Sequence, residues 1–173
     1  MKRTIQNRGV FGVVLCMLLL ASCDQKKVAY VNTMELYEKF DLQKAKAQEL
    51  NQWHKTLQSE LDSVAVMIDS KAEQIDLSSN EAQSVLQQLG ALKRKVAVDR
   101  EELDSKAQEK IVEYSDAIWK QINQYVQDYA KTAQYDLIMG ANGMGSVMYA
   151  DSSLNITNDL VEYCNARYNG SPK

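Results

Sequence analysis

The sequence predicts a mainly α protein with a small β part, in which two long helices form an antiparallel hairpin with coiled-coil packing. Residues 41–133 contain no proline and one glycine, Gly90, so few residues there interrupt a helix. Apolar residues in this stretch recur at alternating steps of three and four, as a coiled-coil seam requires. Short β-branched and aromatic runs flank it and are typical of buried strands. The protein should therefore be elongated.

Composition argues against several classes of function. Residues 23–173 carry 17 basic and 23 acidic side chains, a formal charge of −6, so no basic face for a nucleic acid is expected. Three cysteines and one histidine, His54, are too few and too dispersed for a metal site or a disulfide framework. The sequence shows no nucleophile paired with a base and no phosphate-binding glycine loop. We therefore expect neither an enzyme nor a cofactor.

Residues 1–22 are predicted to be a signal peptide. A basic head precedes an apolar run at 10–20, which is shorter than the ~20 residues needed to span a bilayer. The run ends in Leu20-Ala21-Ser22-Cys23, which resembles the bacterial lipobox. That resemblance implies cleavage before Cys23 and attachment of lipid to its thiol, with residues 23–27 as a tether. The alternative is an uncleaved anchor that merely ends in a cysteine.

Cys164 would be the only free thiol left after these steps. An exposed unpaired thiol is reactive in an oxidising compartment, so we expect Cys164 to be a core residue.

The first long helix carries a regular heptad seam. Its two rows are Leu50, Leu57, Val64 and Lys71, and His54, Leu61, Ile68 and Ile75. The helix is predicted to stop near Asp76, and Ser78 with Glu81 has the spacing of a capping box that starts the second helix near Ser79.

The second long helix changes period along its length. It begins with a heptad-like run (Val85, Leu89, Leu92, Val96), passes a charged interval at 99–102, and then repeats every eleven residues from Leu103 to Ala133. An eleven-residue period favours a straight or gently right-handed stripe.

Shorter elements lie on both sides of the long helices. Residues 28–31 are predicted to form a strand, after which Asn32 and Glu35 have capping-box spacing. Residues 135–139 and 146–150 are predicted strands joined by a glycine-rich turn, and Thr157 is a predicted cap of the last helix. Three strands leave sheet edges open, which indicates oligomerisation through the sheet.

These elements, in this order, resemble the OmpH/Skp family of periplasmic chaperones. The family opens with an apolar strand running into an Asn-led helix, as in Val28-Ala29-Tyr30-Val31-Asn32. It closes with a strand pair and a capped helix, as at 135–139, 147–151 and 155–160. The resemblance covers about residues 28–168. We divide these into a body (28–40 and 134–168) and an arm (41–133), with 169–173 as a tail.

The resemblance implies a homotrimer whose strands pool into a small β-barrel body, with three arms around a cavity. Unfolded outer-membrane proteins would bind there without ATP and be kept from aggregating in the periplasm. The lipobox departs from the family, since many relatives are soluble, and lipid on Cys23 would confine this chaperone to the surface of a bacterial membrane. The residues assigned to the oligomer contact are Val28, Tyr30, Leu137, Met139, Val147 and Tyr149.

The arm departs from the family in its charge. Family members often have strongly basic arms, whereas residues 41–133 hold 12 basic and 16 acidic side chains. Client contact is therefore expected to rest on apolar and aromatic residues off the seams. The candidates are Trp53, Val66, Met67 and Val98, each with a flanking core contact as the alternative.

A rival hypothesis is a structural coiled-coil lipoprotein that tethers a membrane to peptidoglycan through Lys173. A spacer, however, needs neither a hairpin that returns to its starting end nor the strands.

Overall fold

A computed structural model describes residues 26–145 and 147–170. The predicted signal peptide, the lipidation at Cys23 and the terminal Lys173 lie outside these residues. The described part is mainly helical with a small sheet, as the sequence predicts. In chain order its elements are β1 (Val28–Asn32), α1 (Thr33–Lys39), α2 (Asp41–Glu73), α3 (Ala82–Thr132), β2 (Leu137–Ala141), a 3-10 helix (Ser152–Leu154) and α4 (Thr157–Tyr168).

The sheet consists of β1 and β2 paired in parallel, with Val28 opposite Leu137 and Asn32 opposite Ala141. Parallel neighbours need a long crossover, which α2 and α3 supply. The return is fixed at Lys27: its N–H donates to the Asp136 carboxylate at 2.7 Å and its carbonyl accepts from the Asp136 N–H at 2.9 Å. Hence β2 begins beside the start of β1.

The sequence predicts an antiparallel strand pair after α3, and this prediction is wrong for the single chain, in which the second strand does not form over the described residues 147–150. β2 continues through Gly140, where a Cβ would lie 2.8 Å from Thr33 Cγ2, so a side chain cannot be accommodated without movement. Gly143 and Gly145 then adopt φ values of +73° and +99°, which redirect the chain. The described residues 147–150 lie in bends and loop instead of a returning strand.

Asn32 caps α1, which confirms that prediction. Its side-chain oxygen accepts from the N–H groups of Met34 at 3.1 Å and Glu35 at 3.2 Å. The reciprocal bond of a capping box does not form, because Glu35 pairs with Lys39 at 2.6 Å. The Asn32 N–H donates instead to the Thr157 hydroxyl at 2.9 Å.

Thr157 is not the cap of the last helix that the sequence predicts. It is the first residue of α4, and Asn155 Oδ1 accepts from its backbone N–H at 2.9 Å and from its hydroxyl at 2.6 Å. Because the same buried hydroxyl also accepts from Asn32, it connects the start of α4 to the end of β1.

One apolar core joins β1, α1, α4 and the adjoining part of α3. Phe40 separates α1 from α2 with an extended backbone, and its ring packs edge-on against Tyr125 and Tyr168. Cys164 is fully buried, as predicted, and burial raises the pKa of its thiol to about 12. The buried members of this core are Ala29, Val31, Leu36, Phe40, Ile118, Ile122, Ile156, Leu160 and Cys164.

The helices α2 and α3 lie side by side and run antiparallel. Their 33 and 51 residues correspond to lengths of about 50 Å and 75 Å. Residue numbers rise along α2 as they fall along α3 in three contacts: Glu49 with Tyr114 at 2.8 Å, Asp62 with Arg100 at 2.6 Å and Asp69 with Lys93 at 2.8 Å.

The contact between these helices follows the predicted seam, with exceptions. On α2, Ile68 is buried and the leucines of the seam are half-buried, and on α3 Val96 and Leu103 are buried. Val85 is exposed because, in this register, it lies beyond the level at which α2 ends. Leu92 and Ile111 are also exposed.

The turn at the tip does not contain the predicted capping box. α2 ends at Glu73 and α3 begins at Ala82, and neither position coincides with the predicted ends. Ser78 donates through its N–H and its hydroxyl to Asp76, at 2.9 and 2.7 Å, while Ser79 Oγ accepts from the Glu81 N–H at 3.2 Å. These local turns use the groups that a capping box would need.

Candidate interaction surfaces

Four of the six predicted oligomer residues share one face of the sheet. Alternate residues of a strand point to opposite faces, and the two buried residues of β1 point into the core. The register places Leu137 beside Val28 and Met139 beside Tyr30, on the side away from the core. We call these four residues the strand face: Val28, Tyr30, Leu137 and Met139.

β2, which contributes Leu137 and Met139 to the strand face, is an open edge of the sheet. Within the described residues β2 pairs only with β1, and Leu137 at its start is 50% exposed. The unpaired N–H and C=O groups of an edge strand form a template for another strand. This surface can therefore accept a strand from another chain.

Among the residues that the structure describes, no strand pairing brings Val147 and Tyr149 onto the strand face. Val147 is half-buried, while Tyr149 is 85% exposed. Met144 and Met148 are exposed to a similar degree, so large apolar side chains cluster in the segment after β2. Such clusters mark interaction sites on soluble proteins.

Three of the four predicted client-contact residues are accessible. Val66, Met67 and Val98 are 69%, 52% and 60% exposed. The ion pairs between α2 and α3 on either side of them place all three at the same level of the arm.

Trp53, the fourth candidate, lies apart from these three and is half-buried. It is about 20 Å from Val66 along α2, toward the body. The Lys110 ammonium stands 5.2 Å from its ring centre. One turn further along, Glu49 accepts from Lys46 at 2.7 Å and from the Tyr114 hydroxyl at 2.8 Å. These two bonds lower the pKa of Glu49, and the bond to Glu49 raises the pKa of Tyr114.

Sequence reasoning missed an open cleft of about 370 Å³ between α2 and α3, which we call the mid-arm cleft. Its floor is aliphatic and its rim is mostly acidic. The floor is formed by Leu57, Leu61, Val64 and Leu103, and the rim by Glu60, Asp99, Glu102 and Lys106.

Asp99 explains why the cleft exists. The seam of α3 runs through Leu92 and Val96 to Leu103, and its alternating steps call for an apolar residue at position 99. A carboxylate there leaves the facing aliphatic residues of α2 uncovered. The signal was present in the sequence, since the charged interval at 99–102 interrupts the seam.

Nowhere in 26–145 or 147–170 do three His, Cys, Asp or Glu side chains lie close enough to hold a metal ion. The helices of the same residues include none that is long and apolar enough to cross a membrane.

A family model described as Outer membrane protein (OmpH-like) matches residues 27–163. The match runs from the start of β1 into α4, so it includes the strand face, both long helices and the mid-arm cleft. No curated protein matches the chain.

Proposed function

The chain belongs to the OmpH-like family of periplasmic chaperones for outer-membrane proteins, and from this membership we propose that it is an ATP-independent holdase. It binds unfolded outer-membrane proteins through many weak contacts. Their free concentration then stays below the level at which exposed apolar segments aggregate. The observation that carries the proposal is the family match over 27–163.

The body of the active protein is proposed to be a homotrimer joined through the strand face. A two-stranded sheet is marginal by itself, and this one has an open, apolar edge. Strands from further copies would cover that edge and close the sheet. The exposed segment around Tyr149 would pack in the same contact.

The arms are proposed to be coiled-coil hairpins that enclose the client cavity. Antiparallel packing and a largely seam-based contact support this arrangement. Val66, Met67 and Val98 are the accessible apolar contacts for clients. Trp53, partly covered by Lys110, contributes mainly to the packing between the two helices.

The protein is proposed to be held at a bacterial membrane by lipid on Cys23. Each buried methylene of an acyl chain contributes ~0.8 kcal/mol to membrane binding, so two or more chains would hold it stably. The chaperone would then act within reach of that membrane surface.

The proposal predicts two results for the chain from Asp24 onward, which contains every described residue. It should sediment as a trimer, and it should suppress light scattering when a denatured outer-membrane β-barrel protein is diluted from urea. A monomer that leaves aggregation unchanged would contradict the proposal. Covalent attachment of the full chain to muropeptides would favour the tether instead.

A further inference from the structure

We infer that the mid-arm cleft is a docking site for client segments that combine aliphatic side chains with lysine or arginine. This inference rests on the proposed chaperone function and names the class of client segment that the arm prefers.

The negative charge of the arm is concentrated around the cleft. Residues 49–62 and 99–116, here called the middle band, hold ten acidic and four basic side chains, a formal −6. Residues 63–98, toward the tip, hold four of each sign. The two ends nearest the body, 41–48 and 117–133, hold two acidic and four basic side chains. A cationic segment is therefore attracted to one level of the arm rather than to its whole length.

Half of the acidic side chains in the middle band form no ion pair with any residue that the structure describes. The others are paired, for example Asp62 with Arg100 and Glu102 with Lys106, both at 2.6 Å. Unpaired carboxylates attract cations over a Debye length of about 8 Å at physiological salt. The carboxylates without an ion pair or hydrogen bond inside the described part of the chain are Glu60, Glu101, Glu109, Glu113 and Asp116.

The cleft joins this charge to an apolar surface. Its aliphatic floor offers burial to leucine or valine side chains, and a volume of about 370 Å³ lies within the ~300–1,000 Å³ range of ligand pockets. Glu60 stands on the rim, and its carboxylate has no ion pair or hydrogen bond with the described residues. A lysine or arginine can therefore lay its stem on the floor and reach Glu60 with its charge.

The same arrangement disfavours other segments. An acidic segment would bring like charges into the middle band, and a polar cationic segment would leave the apolar floor unfilled. Aliphatic and cationic side chains in one segment satisfy both features of the cleft.

The test uses the full chain in nanodiscs of zwitterionic lipid, with empty nanodiscs as the blank. Three labelled twelve-residue peptides are compared by fluorescence anisotropy: alternating Leu and Lys, alternating Leu and Glu, and alternating Ser and Lys. The Leu/Lys peptide should bind most tightly, and its affinity should fall as salt is raised. Equal or tighter binding of the Leu/Glu peptide would overturn the inference.

A pair of charge-reversal variants locates the site. Glu60→Lys places a cation on the rim and should weaken Leu/Lys binding by about 2- to 10-fold at low salt, as expected for reversing one exposed charge. Glu73→Lys makes the same change of net charge on the same helix, about 20 Å away, and should leave binding within about 2-fold of wild type. Both sites are exposed, and circular dichroism checks that helicity is retained. Equal effects of the two variants would refute docking at the cleft.

The aggregation assay separates this inference from the proposed function. Suppression of aggregation by the wild-type chain, combined with identical peptide binding by the two variants, would refute the docking site and leave the chaperone function standing. Selective loss of Leu/Lys binding in Glu60→Lys without any suppression of aggregation would support the docking site and contradict the holdase.

Discussion

Single polar side chains join parts of the body that are distant in sequence. Asn165 donates to the Lys39 carbonyl at 3.1 Å and accepts from the Asp41 N–H at 2.8 Å. It therefore satisfies one backbone group on each side of Phe40, where α1 ends and α2 begins. Helix ends leave such groups without intrahelical partners, so a single amide from α4 stabilises both ends.

Cys164 makes the stability of the body depend on pH in the alkaline range. The thiol has a pKa of about 12 in the fold, against an ordinary value of 9.0, because burial disfavours the thiolate. Its stabilising contribution is complete below pH 9 and is lost as the pH rises toward 12, since the unfolded chain ionises first. The free energy of unfolding, measured in urea, should therefore fall more steeply above pH 9 for wild type than for Cys164→Ala.

The comparison of the two proteins isolates the thiol. Tyrosines of the body also titrate in this range, and burial raises the pKa of Tyr125 and Tyr129 as well, but they are present in both proteins. The variant should be less stable at pH 7, because a cavity replaces the sulfur. Parallel pH profiles above pH 9 would show that the thiol ionises freely in the fold.

Among the elements, α3 is less stable than it could be because Asp99 occupies a seam position. The same residue leaves the mid-arm cleft open. This residue pairs with Lys95 at 3.0 Å on the helix surface, a contact worth ~0.5 kcal/mol or less. Asp99→Leu should complete the seam and bury an aliphatic side chain, a gain of about 1–2 kcal/mol. We expect Tm to rise by about 2–6 °C, measured by far-UV circular dichroism.

Glu101→Leu is the matched control for this variant. It removes the same charge from an exposed position two residues away, off the seam. It should change Tm by only about 1 °C, the effect of helix propensity alone. Similar Tm values for the two variants would show that Asp99 does not stand at a vacant seam position. Because Asp99→Leu fills the cleft, this variant should also weaken binding of the Leu/Lys peptide.

For the whole molecule, the proposed contact through the strand face predicts that assembly can be abolished while the helices remain. Leu137→Asp puts a charge on the strand face, where each further copy would have to bury it without a partner. The variant should sediment as a monomer while far-UV helicity stays close to wild type, because α2 and α3 pack within one chain.

Met34→Asp serves as the control for that change. Met34 is also an exposed apolar residue of the body, but it lies in the first turn of α1 and off the strand face. This variant should remain oligomeric.

Val147→Asp tests the one predicted strand that the single chain does not form. Unchanged sedimentation of both Leu137→Asp and Val147→Asp would rule out assembly through the strands.

Features that depend on short-range pattern were predictable. The long helices follow from the absence of proline and the presence of only one glycine at 41–133, and burial along the seam follows from its heptads. Asn32 as a helix cap and Cys164 as a core residue also follow from residue type and context. The order of these elements identified the family.

Features that depend on distant contacts were not predictable. Gln134 adopts φ +57° at the end of α3, where glycine is usual, and Tyr135 N–H reaches the Ala130 carbonyl at 2.9 Å. The Lys27 ammonium binds the Ala133 carbonyl at 2.8 Å beside it, a contact across 106 residues. Thr157 likewise does not cap α4 as predicted, because its hydroxyl accepts from the Asn32 N–H and donates to Asn155 Oδ1.

The sequence by itself determined the two long helices, their seam and the apolar strand before them, because periodicity and turn residues act over a few positions. Only the tertiary structure decided that β1 and β2 pair in parallel, since that requires the chain to return over some hundred residues to Lys27. It also decided that the interruption of the seam at Asp99 opens as a cleft. Whether Asp99 faces solvent or a groove depends on which residues of α2 lie opposite, and that register is set by packing between the helices.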